Sequence, residues 1–132
     1  MTIKTSDRQY PLVAKAVFTQ ADLPTGVAVA AVDLPGGARV IGGQIAVVTA
    51  GDSVTSDTLT VGDGTTGNRY ASAVDGKAAG VTALTIDEND NATGQSAVYI
   101  TNTAVGTEGT AMVGFLEVHY VIDGRGNEVQ PA

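Results

Sequence analysis

One run near the C-terminus limits the possible folds more than any other stretch of the chain. From Ala111 to Ile122 the residues alternate almost strictly: Met112, Gly114, Leu116, Val118, Tyr120 and Ile122 fall on one side of an extended backbone, and Val113, Phe115, Glu117, His119 and Val121 on the other. A side-chain period of two is the signature of a β-strand with one face against a core. Its length and its content of β-branched and aromatic residues predict a central strand that shorter strands pair with. The second set is too apolar to be simply solvated. Phe115 and its neighbours are therefore expected to be covered, either by other segments of the chain or by a symmetry-related copy.

The rest of the sequence extends this pattern. Turn clusters rich in Gly, Pro, Asp and Asn recur at Ala21–Gly26, Pro35–Gly37, Gly51–Ser53, Gly62–Asn68, Asp87–Gly94 and Ala104–Thr110, and short alternating segments lie between them. These segments are Leu12–Gln20, Val27–Leu34, Arg39–Thr49, Thr58–Val61, Val81–Ile86 and Ala97–Thr103, with the pair Gly42-Gly43 predicting a bend or bulge inside the third. Residues 69–80 are ambiguous between a strand and a short helix that crosses one end of the molecule. About eight strands in one 132-residue domain predict an all-β, antiparallel β-sandwich. Two sheets of this size suggest a jelly-roll-like winding, with an immunoglobulin-like sandwich as the alternative. Residues 1–11 are polar, end in Tyr10-Pro11 and read as an extended N-terminal arm; residues 12–124 form the sandwich, and 125–132 a polar tail.

Composition narrows the chemistry. With 5% aromatic residues and no Trp, the core must be built from Val, Ile, Leu and Ala, and with no cysteine there are neither disulfides nor thiolate sites. The net charge is −7, yet Lys4, Arg8 and Lys15 against Asp7 leave the first 20 residues at +2 and the remainder at −9. An acidic body repels phosphate backbones, so nucleic acid is not an expected partner. The N-terminus has no apolar leader-like core and no stretch is long and apolar enough for a membrane helix, so synthesis in the cytoplasm and no membrane partner are expected.

Each motif with chemical potential has a plainer reading. Asp87, Asn89 and Asn91 match the first oxygen ligands of an EF-hand-type calcium loop, but Ala92 stands where the turn needs Gly and Val98 where a bidentate Glu should close the site. A solvated hairpin loop is the expectation, and no metal or cofactor is assigned. Gly62–Asn68 is glycine-rich but lacks the Lys-Ser/Thr pair and following helix of a phosphate-binding loop. His119, the only histidine, shares a strand face with Glu117; on a half-wet strand such a pair reads as two polar residues facing water or a subunit partner rather than as a general base and its orienting carboxylate. Paired carboxylates over a sugar cleft would need aromatic walls, and the aromatics here are scattered. The sequon Asn91-Ala92-Thr93 matters only in a secreted eukaryotic chain. No catalytic residue is assigned.

The arm, the Val/Ala/Thr/Gly-rich sandwich and three phrases, Val40–Thr49, Leu59–Asp63 and the closing Glu117–Glu128, resemble small virion proteins of tailed bacteriophages, most of all the head decoration or cement proteins. The resemblance implies a non-enzymatic structural protein on the outer capsid surface, bound to the major capsid protein and assembled as a symmetric homo-oligomer, usually a trimer. A fibre or tail adhesin, or a carbohydrate-binding module, is the alternative. On this reading the mildly basic arm, with Lys4, Arg8 and Tyr10, and the strand residue Phe115 are the expected partner-binding positions.

Overall fold

The computed structural model describes residues 9–86 and 96–122. Eight strands follow one another: β1 (Leu12–Thr19), β2 (Ala28–Asp33), β3 (Ala38–Thr49), β4 (Ser56–Gly62), β5 (Ala71–Asp75), β6 (Gly80–Ala83), β7 (Ala97–Val105) and β8 (Val113–Ile122). They form two antiparallel sheets in the orders β1-β8-β3-β6 and β2-β7-β4-β5. The all-β sandwich expected from the turn spacing is what is found. The order is nested: β1 pairs with β8, β2 with β7, β3 with β6 and β4 with β5. An immunoglobulin-like sheet would place its first two strands side by side. Here β1 and β2 lie in different sheets.

The closing strand is central, as its alternation predicted, with β1 on one side and β3 on the other. Gly114, Leu116 and Val118 are buried on its inner face, and Met112 is buried just ahead of it. Opposite them the second sheet contributes Leu59 and Val61 from β4 and Val98 and Ile100 from β7. Each such side chain contributes roughly 1.5–3 kcal/mol by leaving water. Because this core has few aromatics, its stability rests on many small contacts rather than on one or two large anchors.

Two local features show sequence acting through backbone geometry. The bend expected at Gly42-Gly43 is a register shift in the β3–β8 ladder between Val40 and Gly42. Gly43 adopts φ +136°, and a Cβ there would run into the Glu117 carbonyl, so both conformation and space demand glycine. The ambiguous stretch at 69–80 resolves as strand: β5 covers Ala71–Asp75, and Gly80 already opens β6. Ala71 and Val74, three residues apart, are both buried, and the β4–β5 register shifts between Leu59 and Val61; pairing with β4 outweighed the helix propensity of the alanines. A single 3-10 turn, Gln20–Asp22, follows β1, with the Asp22 carboxylate accepting from the Thr19 amide at 2.9 Å and the Thr19 hydroxyl at 3.1 Å. Among the described residues no helix is long and apolar enough to cross a membrane.

Candidate assembly surface

The orientation of β1 and β8 follows from one bond. The Gln20 amide donates to the Met112 carbonyl at 2.8 Å, one rung beyond the Thr19↔Val113 pair. Backbone polar groups alternate sides along an antiparallel ladder, so the even-numbered residues of β1 hydrogen-bond to β8 while Val13, Lys15 and Val17 turn theirs to the free edge. Val13↔His119, Lys15↔Glu117 and Val17↔Phe115 are then non-hydrogen-bonded pairs, in which facing side chains approach most closely. All six side chains lie on the outer face of the first sheet.

Register extends these pairs into rows across all four strands. One row is apolar throughout: Val17, Phe115, Ala46 and Val81, from β1, β8, β3 and β6 in turn. Ala46 and Phe115 are covered or half-covered, but Val17 and Val81 at the two ends are 69% and 64% exposed. The next row is polar over three strands, Lys15, Glu117 and Gln44, and ends in Ala83, with Gln44 Nε2 at 3.5 Å from Glu117 Oε2. Lys15 reaches back so that its ammonium lies 4.4 Å from the centroid of the Phe115 ring. Such a cation–π contact contributes about 0.5–1 kcal/mol at an exposed site. It also shields one face of an aromatic ring that would otherwise meet water. Phe115 is thus covered in part by its own chain, within an apolar row that crosses all four strands of the sheet.

Tyr10 is exposed just before β1, while Lys4 and Arg8 lie outside the described residues, as do Asp87 to Gly94 with the calcium-like pattern and the sequon. Next to Tyr10, the Gln9 side chain was not singled out by the sequence. Its Nε2 donates to the Ile122 carbonyl at 2.6 Å and its Oε1 accepts from the Ile122 amide at 2.9 Å, so one side-chain amide stands in for the next rung of the β1–β8 ladder. His119 and Glu117 share the outer face, but no hydrogen bond joins them among the described residues. No group of three or more His, Asp or Glu residues able to hold a metal ion is found there either.

The sequence also gave little warning of a buried polar hub at one end of the sandwich. Asp57 is 1% exposed, yet its Oδ1 accepts from Ser53 Oγ at 2.6 Å, Gln20 Nε2 at 3.0 Å and Asn102 Nδ2 at 3.3 Å, and its Oδ2 accepts from the Ser53 amide at 3.3 Å. Gln20 Oε1 in turn accepts the Met112 amide, and Ser53 Oγ accepts from the Gly109 amide. The hub joins the end of β1, the β3–β4 connection, β4, β7 and the loop before β8. The available signal was parity: Asp57 falls in the same alternating set as Leu59 and Val61, and Asn102 in that of Val98 and Ile100. Ser53 beside a carboxylate is not a nucleophilic pair here, because both are sealed from solvent and His119 is on the outer face of the other sheet.

Two exposed or rim carboxylates organise loops. Asp52 Oδ1 accepts from the amides of Thr110 at 2.7 Å and Ala111 at 3.0 Å, and these bonds hold its carboxyl below the usual carboxylate value. Asp63 accepts from the Thr65 and Thr66 amides and pairs with Arg69. Burial alone would raise its pKa, but the Thr66 and Thr65 amides and the Arg69 guanidinium outweigh it and the net shift is downward. The glycine-rich stretch 62–68 is therefore a self-contained turn closed around its own aspartate.

No family model matches the sequence, and no curated protein matches it significantly. Three solved structures share the fold. A chain of the "acidic stable capsid structure" of Helicobacter pylori bacteriophage KHP30 superposes with a TM-score of 0.66 at 24% identity, covering 89% of this chain and 92% of that one. A chain of the cyanophage Pam1 capsid asymmetric unit gives 0.61 at 21% identity over 92% and 94%, and one from the capsid of Ralstonia phage GP4 gives 0.63 at 19% over 95% and 92%. At these identities the likeness establishes a shared fold over nearly the whole of each chain.

Proposed function

We propose that the chain is a non-enzymatic structural protein of a tailed-bacteriophage virion, a decoration or cement protein that binds the outer surface of the capsid through the major capsid protein. The observation that carries this reading is end-to-end fold likeness to chains from three phage capsid structures, with at least 89% of this chain and 92% of each partner covered. Coverage on both sides means that the whole unit, not a sub-motif common to sandwiches, is shared. We read the nested strand order as a jelly-roll winding. The apolar stripe through Phe115 and the arm with Lys4, Arg8 and Tyr10 are the surfaces assigned to assembly, with a trimer as the expected homo-oligomer.

The test is reconstitution. Purified protein is added to capsids of its own phage prepared without it, and the mixture is sedimented. Saturable co-sedimentation at a fixed ratio to the major capsid protein, with a raised temperature of DNA release, is the expected result. Failure to co-sediment, with binding to host cells or polysaccharide instead, would replace this reading by that of an adhesin.

A further inference from the structure

We propose that the slot between β1 and β2 receives residues 1–8 of a second copy of this chain, added as an extra strand on the free edge of β1. The inference rests on the oligomeric part of the reading above, and its test is made without a capsid.

The receiving edge is well defined. Val13, Lys15 and Val17 direct their amides and carbonyls away from β8, and the next outward amide, that of Thr19, is already taken by Asp22. β1 pairs with β8 over all eight residues without a register shift, so the edge is straight. β2, the other strand bordering the slot, has a register shift between Ala30 and Val32 and makes a poorer template. Between them lies an open cavity of about 360 Å³ lined by Ala16, Phe18, Leu23, Val29, Ala31 and Ile100. The small side chains Ala14, Ala16 and Ala31 pack against the core without closing it. An added strand would hydrogen-bond to β1 and place alternate side chains over Val29 and Ala31, the arrangement by which extended segments complete open sheets.

The occupant is indicated by where the described chain begins and by charge. The Gln9 side chain is clamped to both backbone groups of Ile122 just ahead of β1, so for a chain's own residues 1–8 to pair on the free edge of β1 they would first have to reverse direction within eight residues. A neighbouring copy meets no such obstacle. Eight extended residues span up to about 26 Å, enough to cross between adjacent protomers. Residues 1–8 carry Lys4 and Arg8 against Asp7, and the slot carries Asp22 at its lining and Asp33 at the end of β2. Ile3 provides the apolar side chain for the cavity. A contact in which each copy's arm enters the next copy's slot is heterologous, and it forms a ring when the rotation between copies closes.

The cysteine-free sequence permits a direct test. A chain carrying Ile3→Cys and a differently tagged chain carrying Ala30→Cys at the slot rim are co-refolded and oxidised, alongside a single chain carrying both. The expected result is a disulfide-linked heterodimer that falls by roughly tenfold when the Ala30→Cys chain also carries Val17→Pro. That proline removes an outward amide and leaves the β8 ladder intact, which circular dichroism verifies. Deleting residues 1–8 should reduce the solution mass from oligomer to monomer with an unchanged spectrum. A heterodimer insensitive to Val17→Pro, a disulfide formed only within the doubly substituted monomer, or no disulfide in an intact oligomer, would overturn the proposal. An oligomer that survives the deletion would overturn it too and leave the virion reading standing, whereas a full-length chain that is monomeric would remove the oligomeric reading itself.

Discussion

Replacing Asp57 by alanine tests whether the buried hub holds this end of the sandwich together. The substitution removes the acceptor of four donors: the Ser53 hydroxyl and amide, one N–H of Gln20 and one of Asn102. The hydroxyl can rotate and Gln20 Nε2 keeps its bond to Ser53 Oγ at 3.0 Å, but the Ser53 amide and the Asn102 N–H lose their acceptor in a site that is closed to solvent. A buried donor left unpaired costs about 1–3 kcal/mol, and such penalties within one network fall short of their sum. Asp57→Ala should therefore destabilise by about 3–5 kcal/mol, similar to the loss of one partner from a buried charged network. In urea titrations followed by circular dichroism the midpoint should fall by roughly 2 M with little change in slope. Asp57→Asn keeps the shape and one acceptor oxygen but turns an N–H toward the Ser53 amide, and should cost about 1–2 kcal/mol. If Asp57→Ala cost less than about 1 kcal/mol, or no more than Asp57→Asn, the hub would be incidental and the core around Leu59 and Met112 would alone hold this end.

Three further outcomes follow from the same geometry. Gly43→Ala must accommodate both φ +136° and overlap with the Glu117 carbonyl, so it should cost more than about 2 kcal/mol in thermal or chemical unfolding, while Gly36→Ala, which meets nothing, should cost far less. Asp63 has a lowered pKa in the folded chain, so its contribution is fully present above the ordinary value of 3.8 and is lost as pH falls below it through the folded value. Asp63→Asn should remove that part of the acid dependence, seen as a shallower fall in melting temperature below pH 4 than in the parent chain. Phe115→Glu places a carboxylate beside Glu117 in the apolar stripe and displaces the Lys15 contact; light scattering should show a smaller oligomer, and an unchanged mass would remove this face from the assembly surface.

The sheet architecture was legible wherever burial and chain period coincide. Strand β8 has both neighbours hydrogen-bonded to it, so its inner set had to be apolar and the alternation was plain. Edge and crossing segments were less legible. Residues 71–75 are too short for a period to distinguish strand from helical turn, and only pairing with β4 settled them. The proposed assembly surface was legible in one residue, Phe115, since an apolar side chain on the outward parity is conspicuous. Its companions Ala46 and Val81 come from strands 69 and 34 positions away in sequence and joined it only through register.

By itself the sequence determined the class: alternating Val, Leu, Ile and Ala segments separated by Gly, Pro and Asp can bury their apolar sides only as stacked sheets, and with no cysteine and few aromatics nothing else is available to hold them. Tertiary structure decided which strands pair, and with that everything that depends on proximity. The nested order, the row Val17–Phe115–Ala46–Val81, the Gln9 clamp and the joining of Gln20 and Asn102 to Asp57 all bring together residues or strands far apart in the chain. Local pattern encodes which face of a strand is buried, because that is set by a two-residue period. It carries no information about the neighbour across the ladder, because that is set by which of many near-equivalent apolar edges pack best together.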